Sequence, residues 1–266
     1  MKIAFIGGGN MGQAMLSAII NQGLAALGDI TVGDKNSALL KQLKADLGVN
    51  TGEDNREVIA GGDIIVLAIK PQTLDEVAAE IGGCFKPGQL ALSIIAGKPV
   101  AALQQGLKHD AIVRAMPNTP AQISLGTTVW TASQAVSDGQ KAAAGAILGA
   151  MGQQIYVADE GLIDMATAVS GSGPAYVFLF MECLVSAGIE IGLPAETARQ
   201  LVLGTVTGAA EYARRSDKEL AQLRQMVTSP GGTTAEALKS LDGDDFPEII
   251  KRAVDAAYRR AQELGG

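Results

Sequence analysis

Apolar residues change their rhythm once along this chain. Up to about residue 160, short continuous apolar runs alternate with stretches in which apolar residues return every three or four positions. "KIAFIG" (2–7), "DIIVLAI" (63–69), "LALSII" (90–95) and "AIVRAM" (111–116) are runs of the kind expected of strands covered on both faces. "ITVGD" (30–34), "TTVWTA" (127–132) and "QIYVA" (154–158) complete the set. Helical spacing falls between them, at about 12–21, over "SALLKQLKADLG" (37–48) and near 137–151. Strand and helix units joined by short links predict an α/β fold with a doubly wound parallel sheet of Rossmann type. Strand signals stop at about residue 162. Helical patterns then fill 162–169, 173–191, 195–214, 218–227, 233–241 and 245–263, with Pro174 and Pro194 at helix starts. The expected organisation is a Rossmann-type domain over residues 1–160 and an all-helical domain over 161–266.

Composition adds a demand for assembly. With 266 residues the chain has room for two domains, and 47% of it is hydrophobic against 18% charged. That ratio predicts more buried apolar surface than a monomer holds, hence contacts between subunits. The sharpest case is "AYVFLFMECLVSAGIEIG" (175–192), which is apolar on most sides, carries small residues such as Ala187 and Gly188, and includes Glu182 and Glu190. A helix apolar all round must be covered, and about 100 residues of helical domain offer little interior. We read it as a buried helix covered by a partner subunit rather than as a membrane span. The net charge of −7 argues against nucleic acid or an anionic membrane as partner. Cys84 and Cys183 stand far apart in apolar settings and are expected to be reduced core thiols of a cytoplasmic protein. No leader segment is legible ahead of the first strand, and no metal site is read from the sequence.

Candidate chemistry begins at "FIGGGNMGQAM" (5–15). Gly7, Gly9 and Gly12 have the spacing G-x-G-x-x-G, directly after a strand and at the start of a helix. Gly7 allows a tight turn, Gly9 a close backbone approach to a pyrophosphate, and Gly12 close packing of helix on strand. The phosphates then meet backbone N–H groups at the positive helix end, so an acidic protein can hold an anionic cofactor. Asp34 ends the second strand, where an acid accepts hydrogen bonds from the adenine ribose. Lys35 and Asn36 follow at once and are placed to hold a 2′-phosphate. For the reaction itself, the only histidine, His109 in "LKHDA", is expected to be a surface loop residue. The lysines of the helical domain, Lys218, Lys239 and Lys251, lie outside the glycine-rich opening "AVSGSGPAYVFLF" (168–180). A hydride acceptor that needs no strong protonic catalyst fits this inventory. A protonated imine is such an acceptor, because hydride attack on C=N neutralises charge and creates no oxyanion. Three segments rich in hydroxyls and glycine, "MPNTPA" (116–121), "SGSGPA" (170–175) and "VTSPGGTT" (227–234), offer N–H and O–H donors for a small carboxylate. Each also reads as ordinary helix capping.

"FIGGGNMG", "AIKPQ", "VRAMPNTP", "AVSGSGPAYVF" and "VTSPGGTT" resemble, in order and spacing, the signatures of the pyrroline-5-carboxylate reductase family. The resemblance covers nearly the whole chain. It implies reduction of 1-pyrroline-5-carboxylate to L-proline with NADPH or NADH, the last step of proline synthesis. It also implies a helical domain that builds an intertwined dimer, often assembled further into a decamer. Carried over by position, the cofactor contacts fall on Ile6, Gly7, Gly8, Gly9, Asn10 and Met11, on Asp34 and Asn55, on Ala68, Ile69, Lys70 and Pro71, and on Ala96. The substrate contacts fall on Ser229, Gly231, Gly232, Thr233 and Thr234. Thr233 and its neighbours would offer N–H groups to the carboxylate, and the Thr234 hydroxyl would lie near the ring nitrogen as the catalytic group. Many members end the second strand in Ser or Asn with Arg, where this chain has Asp34 and Lys35, which bears on the family's NADPH preference. Two alternatives stand beside this one. A β-hydroxyacid dehydrogenase would share the plan but carry a catalytic lysine early in the helical domain. A non-catalytic dinucleotide-sensing regulator would not need an intact substrate loop.

Overall fold

The computed structural model describes residues 1–265. Its first part alternates strand and helix: β1 (Ile3–Ile6), α1 (Asn10–Asn21), β2 (Ile30–Gly33), α2 (Ser37–Leu47), β3 (Asn50–Gly52), α3 (Asn55–Ala60), β4 (Ile64–Leu67), α4 (Leu74–Ile81), β5 (Leu90–Ser93), α5 (Val100–Leu107), β6 (Ile112–Met116), β7 (Gly126–Ala132), α6 (Asp138–Gly149) and β8 (Gly152–Tyr156). Among the described residues these strands form one eight-stranded sheet in the order β3-β2-β1-β4-β5-β6-β7-β8. The α/β, Rossmann-type expectation holds. The chain reverses direction around β1, which pairs in parallel with both β2 and β4. Ligands of such sheets sit beyond the strand C-termini at that reversal.

Two details depart from the sequence-based expectation, one in strand direction and one in strand number. β7 runs antiparallel to β6. The link from Met116 to Gly126 holds only a short 3-10 turn, Thr119–Ile123, and a parallel crossover needs a dozen or more residues. β3 was not expected, because "NTG" carries no apolar residue. It forms as an edge strand by pairing with β2.

Side chains alternate across the sheet into two cores. Ile3, Phe5, Ile64 and Val66 pack with Met15, Ile19 and Ile147 on one face. Ala4, Ile6, Ile65 and Leu67 pack with Ile59, Ile81 and Leu103 on the other. Each fully buried large side chain contributes roughly 1.5–3 kcal/mol. Arg114 on β6 is buried and pairs with two carboxylates, Glu160 (Nη1–Oε1, 2.8 Å) and Asp164 (Nη2–Oδ1, 2.6 Å). Glu160 Oε1 also accepts the N–H of Val100 at 2.7 Å, so one guanidinium organises the segments around α7 (Gly161–Ala166) and the start of α5. His109 lies in the loop between α5 and β6, as expected, and is half-buried there. It stacks on Phe85 with ring centroids 4.6 Å apart, and its Nε2 lies 2.8 Å from the Gln89 carbonyl.

A π-helical turn, Thr167–Gly171, follows α7, and then come α8 (Gly173–Glu190), α9 (Ala195–Arg215), α10 (Leu220–Met226), α11 (Thr233–Gly243) and α12 (Phe246–Gly265). The chain divides into two compact units, Met1–Ser172 together with the last turns of α12 from Ala257, and Gly173–Ala256. In the second unit α8 packs along α9, where a Cβ at Gly188 would lie 3.3 Å from that of Ala198.

Within the single chain α8 is not the buried helix expected from the sequence. It has no buried residue, and Phe178 and Leu179 are each 60% exposed. Cys84 and Cys183 are likewise free and exposed rather than in the core. By length and composition the stretch Gly161–Glu190 could cross a membrane. An apolar patch of this kind marks an interaction surface. Light scattering at micromolar concentration is expected to give a dimer or a larger closed assembly. A monomer would contradict this account of α8.

Candidate active site

Backbone geometry shapes the loop between β1 and α1. Gly7 has φ +99°, in the region that side chains avoid, and its N–H donates to Gly33 O at 2.8 Å. A Cβ on Gly7 would lie 2.6 Å from Ala68 O, and one on Gly12 would lie 2.8 Å from Gly7 O. The loop therefore closes onto the end of β4 with no room for side chains at either position. Gly9 differs: no atom lies within 4 Å of a Cβ built there. Its open side is the start of α1, which no side chain caps and which has no acid in its first turn. Up to four N–H groups at such an end lack a helical partner, and they attract anions.

Beyond this loop lies a cleft of about 250 Å³ at the sheet's reversal point. Of the expected cofactor residues, Ile6, Gly7, Gly9, Asp34, Lys35, Asn55, Ala68, Ile69 and Lys70 line it. Gly33, Thr73, Glu76 and Val77 line it too and were not anticipated, the last three because they belong to the α4 region some forty residues past Asp34. Gly8, Asn10, Met11, Gly12, Asn36, Pro71 and Ala96 are not part of its wall. Gly8 instead faces Leu43 of α2, and Gly12 serves the packing of α1. Asn10 is the first residue of α1, Pro71 opens a 3-10 turn, and Ala96 follows β5 beside Gly97. Asn55 is 4% exposed and donates through Nδ2 to Glu80 Oε2 at 2.9 Å.

The groups at the end of β2 are already engaged. Asp34 accepts the N–H of Gly8 through Oδ2 and that of Asn36 through Oδ1, both at 2.9 Å. Its carboxylate thus ties the glycine loop to β2 and keeps further lone pairs for a ribose. Asn36 caps α2, its Oδ1 accepting from the N–H groups of Ala38 (3.1 Å) and Leu39 (3.2 Å). Lys35 is paired through Nζ with Glu76 Oε1, and that hydrogen bond holds the ammonium above the ordinary lysine pKa. The cleft fits a dinucleotide on the strength of the uncapped α1 terminus, the open side of Gly9 and the acceptors at Asp34.

The loop of residues 227–234 belongs to the helical unit. Thr228 Oγ1 donates to Arg224 O at 2.7 Å, closing α10. Gly231 has φ +68°, and Gly232 N donates to Ser229 O at 3.0 Å, making a tight turn. A Cβ on Gly232 would lie 2.5 Å from Ser229 Oγ. Gly232 is the N-cap of α11, and no side chain caps the helix. Thr233 and Thr234 occupy its first turn, so their hydroxyls are not spent on capping and the first N–H groups are left for a ligand. The other two hydroxyl-rich segments meet each other in the first unit. Asn118 Nδ2 donates to Ser170 O at 3.2 Å, and Asn118 Oδ1 accepts the N–H of Thr127 at 2.8 Å. They are structural ties, with no donor array comparable to that of α11.

Residues 160–264 match the family model described as pyrroline-5-carboxylate reductase dimerisation, and residues 2–97 match NADP oxidoreductase coenzyme F420-dependent. A pyrroline-5-carboxylate reductase of Synechocystis is 42% identical over 100% of this chain and 98% of its own length. That of Pseudomonas aeruginosa is 40% identical over 99% of this chain and 96% of its own. The crystal structure of Plasmodium falciparum pyrroline carboxylate reductase with NADP bound has a TM-score of 0.91 and 32% identity, covering 100% of this chain and 98% of that one.

The open side of Gly9 generates a clean test. Gly9→Val adds a side chain whose Cβ has no atom beyond its chain neighbours within 4 Å, and which stands in the approach to α1. Dinucleotide affinity, measured by fluorescence titration, is expected to fall at least about tenfold, which corresponds to about 1.4 kcal/mol. The melting temperature should stay close to that of the parent chain. Unchanged affinity in the folded variant would remove the loop from the cofactor site.

Proposed function

The chain belongs to the pyrroline-5-carboxylate reductase family, and on that premise we propose that residues 229–234 hold the cyclic imine while the cleft beyond β1 holds the nicotinamide cofactor. The reaction is the reduction of 1-pyrroline-5-carboxylate to L-proline with NADPH or NADH, the last step of proline biosynthesis. The β-hydroxyacid dehydrogenase alternative is not favoured, since relatives matching the full chain are reductases of this imine. The observation that carries the site assignment is the start of α11. Its N-cap is a glycine, its first two residues are threonines, and neither hydroxyl caps the helix.

The N–H groups at that start, with the positive end of α11 behind them, would bind the substrate carboxylate. The turn at Gly231 brings the loop round to do so, and residues 227–234 carry no lysine or arginine that would oppose a protonated imine. Bound reduced nicotinamide supplies the hydride. The Thr234 hydroxyl would orient the ring nitrogen and donate or accept a hydrogen bond there while the C=N electron pair settles on nitrogen. No acid need protonate an oxygen, because the iminium loses its charge in this step. That accounts for a substrate loop, residues 227–234, with no histidine or lysine in it.

The protein self-associates, as the dimerisation family match indicates. We place the functional division at about residue 160, a boundary that the start of that match supports. We take the exposed face of α8 as the dimer contact, the dimers as units of a decamer, the site of action as the cytoplasm, and neither membrane nor nucleic acid as a partner. The net charge of −7 supports the last point.

Thr234 separates a catalytic hydroxyl from a structural one. A hydrogen bond to a neutral or charged ring nitrogen is worth about 0.5–3 kcal/mol. Thr234→Ala is expected to lower kcat/KM by roughly tenfold to a hundredfold, one decade being about 1.36 kcal/mol. Thr234→Val should lose a similar amount, since it keeps the shape and drops the hydroxyl. Steady-state kinetics with both variants decides the matter. Normal kinetics in the folded fraction, with a lowered melting temperature alone, would move the role elsewhere in the loop.

A further inference from the structure

One corner of the cleft holds more acid than a 2′-phosphate site calls for. Lys35 is a cation on its wall at the ribose end, just past β2, and it is not free. Its Nζ is bound by Glu76 Oε1, from the first turn of α4. Both side chains stay solvent-accessible, at 61% and 63%, and both line the cleft. Asp34 stands next to Lys35 in the chain, with its carboxylate turned to the glycine loop, and Glu80 adds a further attraction on the same ammonium. Asn36, the other group placed to reach a phosphate, spends its side-chain oxygen on α2.

We propose that Glu76, by occupying Lys35, is a cofactor-specificity residue that turns the cleft away from NADPH and toward NADH. The inference rests on the assignment of the cleft to the dinucleotide. A ribose with a free 2′-hydroxyl loses nothing to this arrangement. It can donate to the carboxylate of Asp34, which keeps unused lone pairs. A 2′-phosphate must instead pull the ammonium off Glu76 and then sit between Glu76 and Asp34. An exposed ion pair is weak enough to be opened, so NADPH is not excluded. It is handicapped, because the freed carboxylate remains beside the phosphate. Glu76 therefore acts through Lys35 as a positioning residue, and its removal releases a lysine that is already at the correct strand end.

The test is steady-state kinetics of the intact enzyme with NADPH and NADH at saturating 1-pyrroline-5-carboxylate. The quantity read is the ratio of kcat/KM for NADPH to that for NADH. Glu76→Gln is expected to raise this ratio roughly tenfold. The same change made in a Lys35→Gln background should raise it less than about threefold, since the lysine it frees is gone. A merely structural role for Glu76 would change both cofactors alike and leave the ratio where it was. An unchanged ratio in folded Glu76→Gln protein overturns the proposal, and so does an equal rise with and without Lys35. Gly9→Val serves as the control for the cleft. If it weakens both cofactors while the ratio ignores Glu76, only this inference fails. If it weakens neither, the cleft assignment fails with it.

Discussion

The whole arrangement depends on how closely the glycine loop can approach the end of β4. Gly7 and Gly12 leave no space for a Cβ against Ala68 and against each other. That contact fixes where α1 begins, and the start of α1 is the positively polarised surface on which a pyrophosphate can rest. A protein of net charge −7 thereby gains an anion site made of backbone dipoles. The start of α11 has a related form: a glycine N-cap and a turn at Gly231 leave its first N–H groups without a side-chain cap, with Glu236 the acid of that first turn. In both places backbone geometry provides the anion-binding groups, while the charged side chains of the cleft, Asp34, Lys35, Lys70 and Glu76, stand around the ribose end.

The choice of substrate follows from the same economy. Ketone reduction generates an alkoxide and calls for an acid beside it. Imine reduction starts from a cation and ends neutral at nitrogen. His109 is committed to Phe85 and the Gln89 carbonyl, and Arg114 to Glu160 and Asp164. Their strong donors hold the fold together. The chemistry is left to hydroxyls and amides, and an iminium is an acceptor that those groups can serve.

Much of this was legible in the sequence because period and glycine spacing are local signals. The buried strands β1, β4, β5 and β6 read directly from apolar runs, and Gly7, Gly9 and Gly12 from their spacing. β3 escaped because Asn50, Thr51 and Gly52 bring no apolar side chain and form a strand only through β2. The direction of β7 escaped because it is set by the length of a link, not by the pattern of the strand. Glu76 and Thr73 escaped for a different reason: they reach the cleft through the packing of α4, which no short window of sequence contains. The reverse holds for Asn36, whose position beside Asp34 suggested a ligand contact, while its side-chain oxygen caps α2. The apolar character of α8 is legible in the sequence, but burial within the chain does not follow from it: α8, with Phe178 and Cys183, is exposed.

The central claim is that two sites without a strong acid suffice because the acceptor is a cyclic imine. The most direct measurement is the loss of nicotinamide absorbance on adding purified protein to NADPH or NADH, with 1-pyrroline-5-carboxylate in one set of cuvettes and simple 2-keto and 3-keto acids in another. The account predicts rapid oxidation with the imine, formation of one L-proline per cofactor consumed, and no measurable rate with the keto acids. Folded protein that ignores the imine with both cofactors, or that reduces a keto acid at a comparable rate, would contradict it.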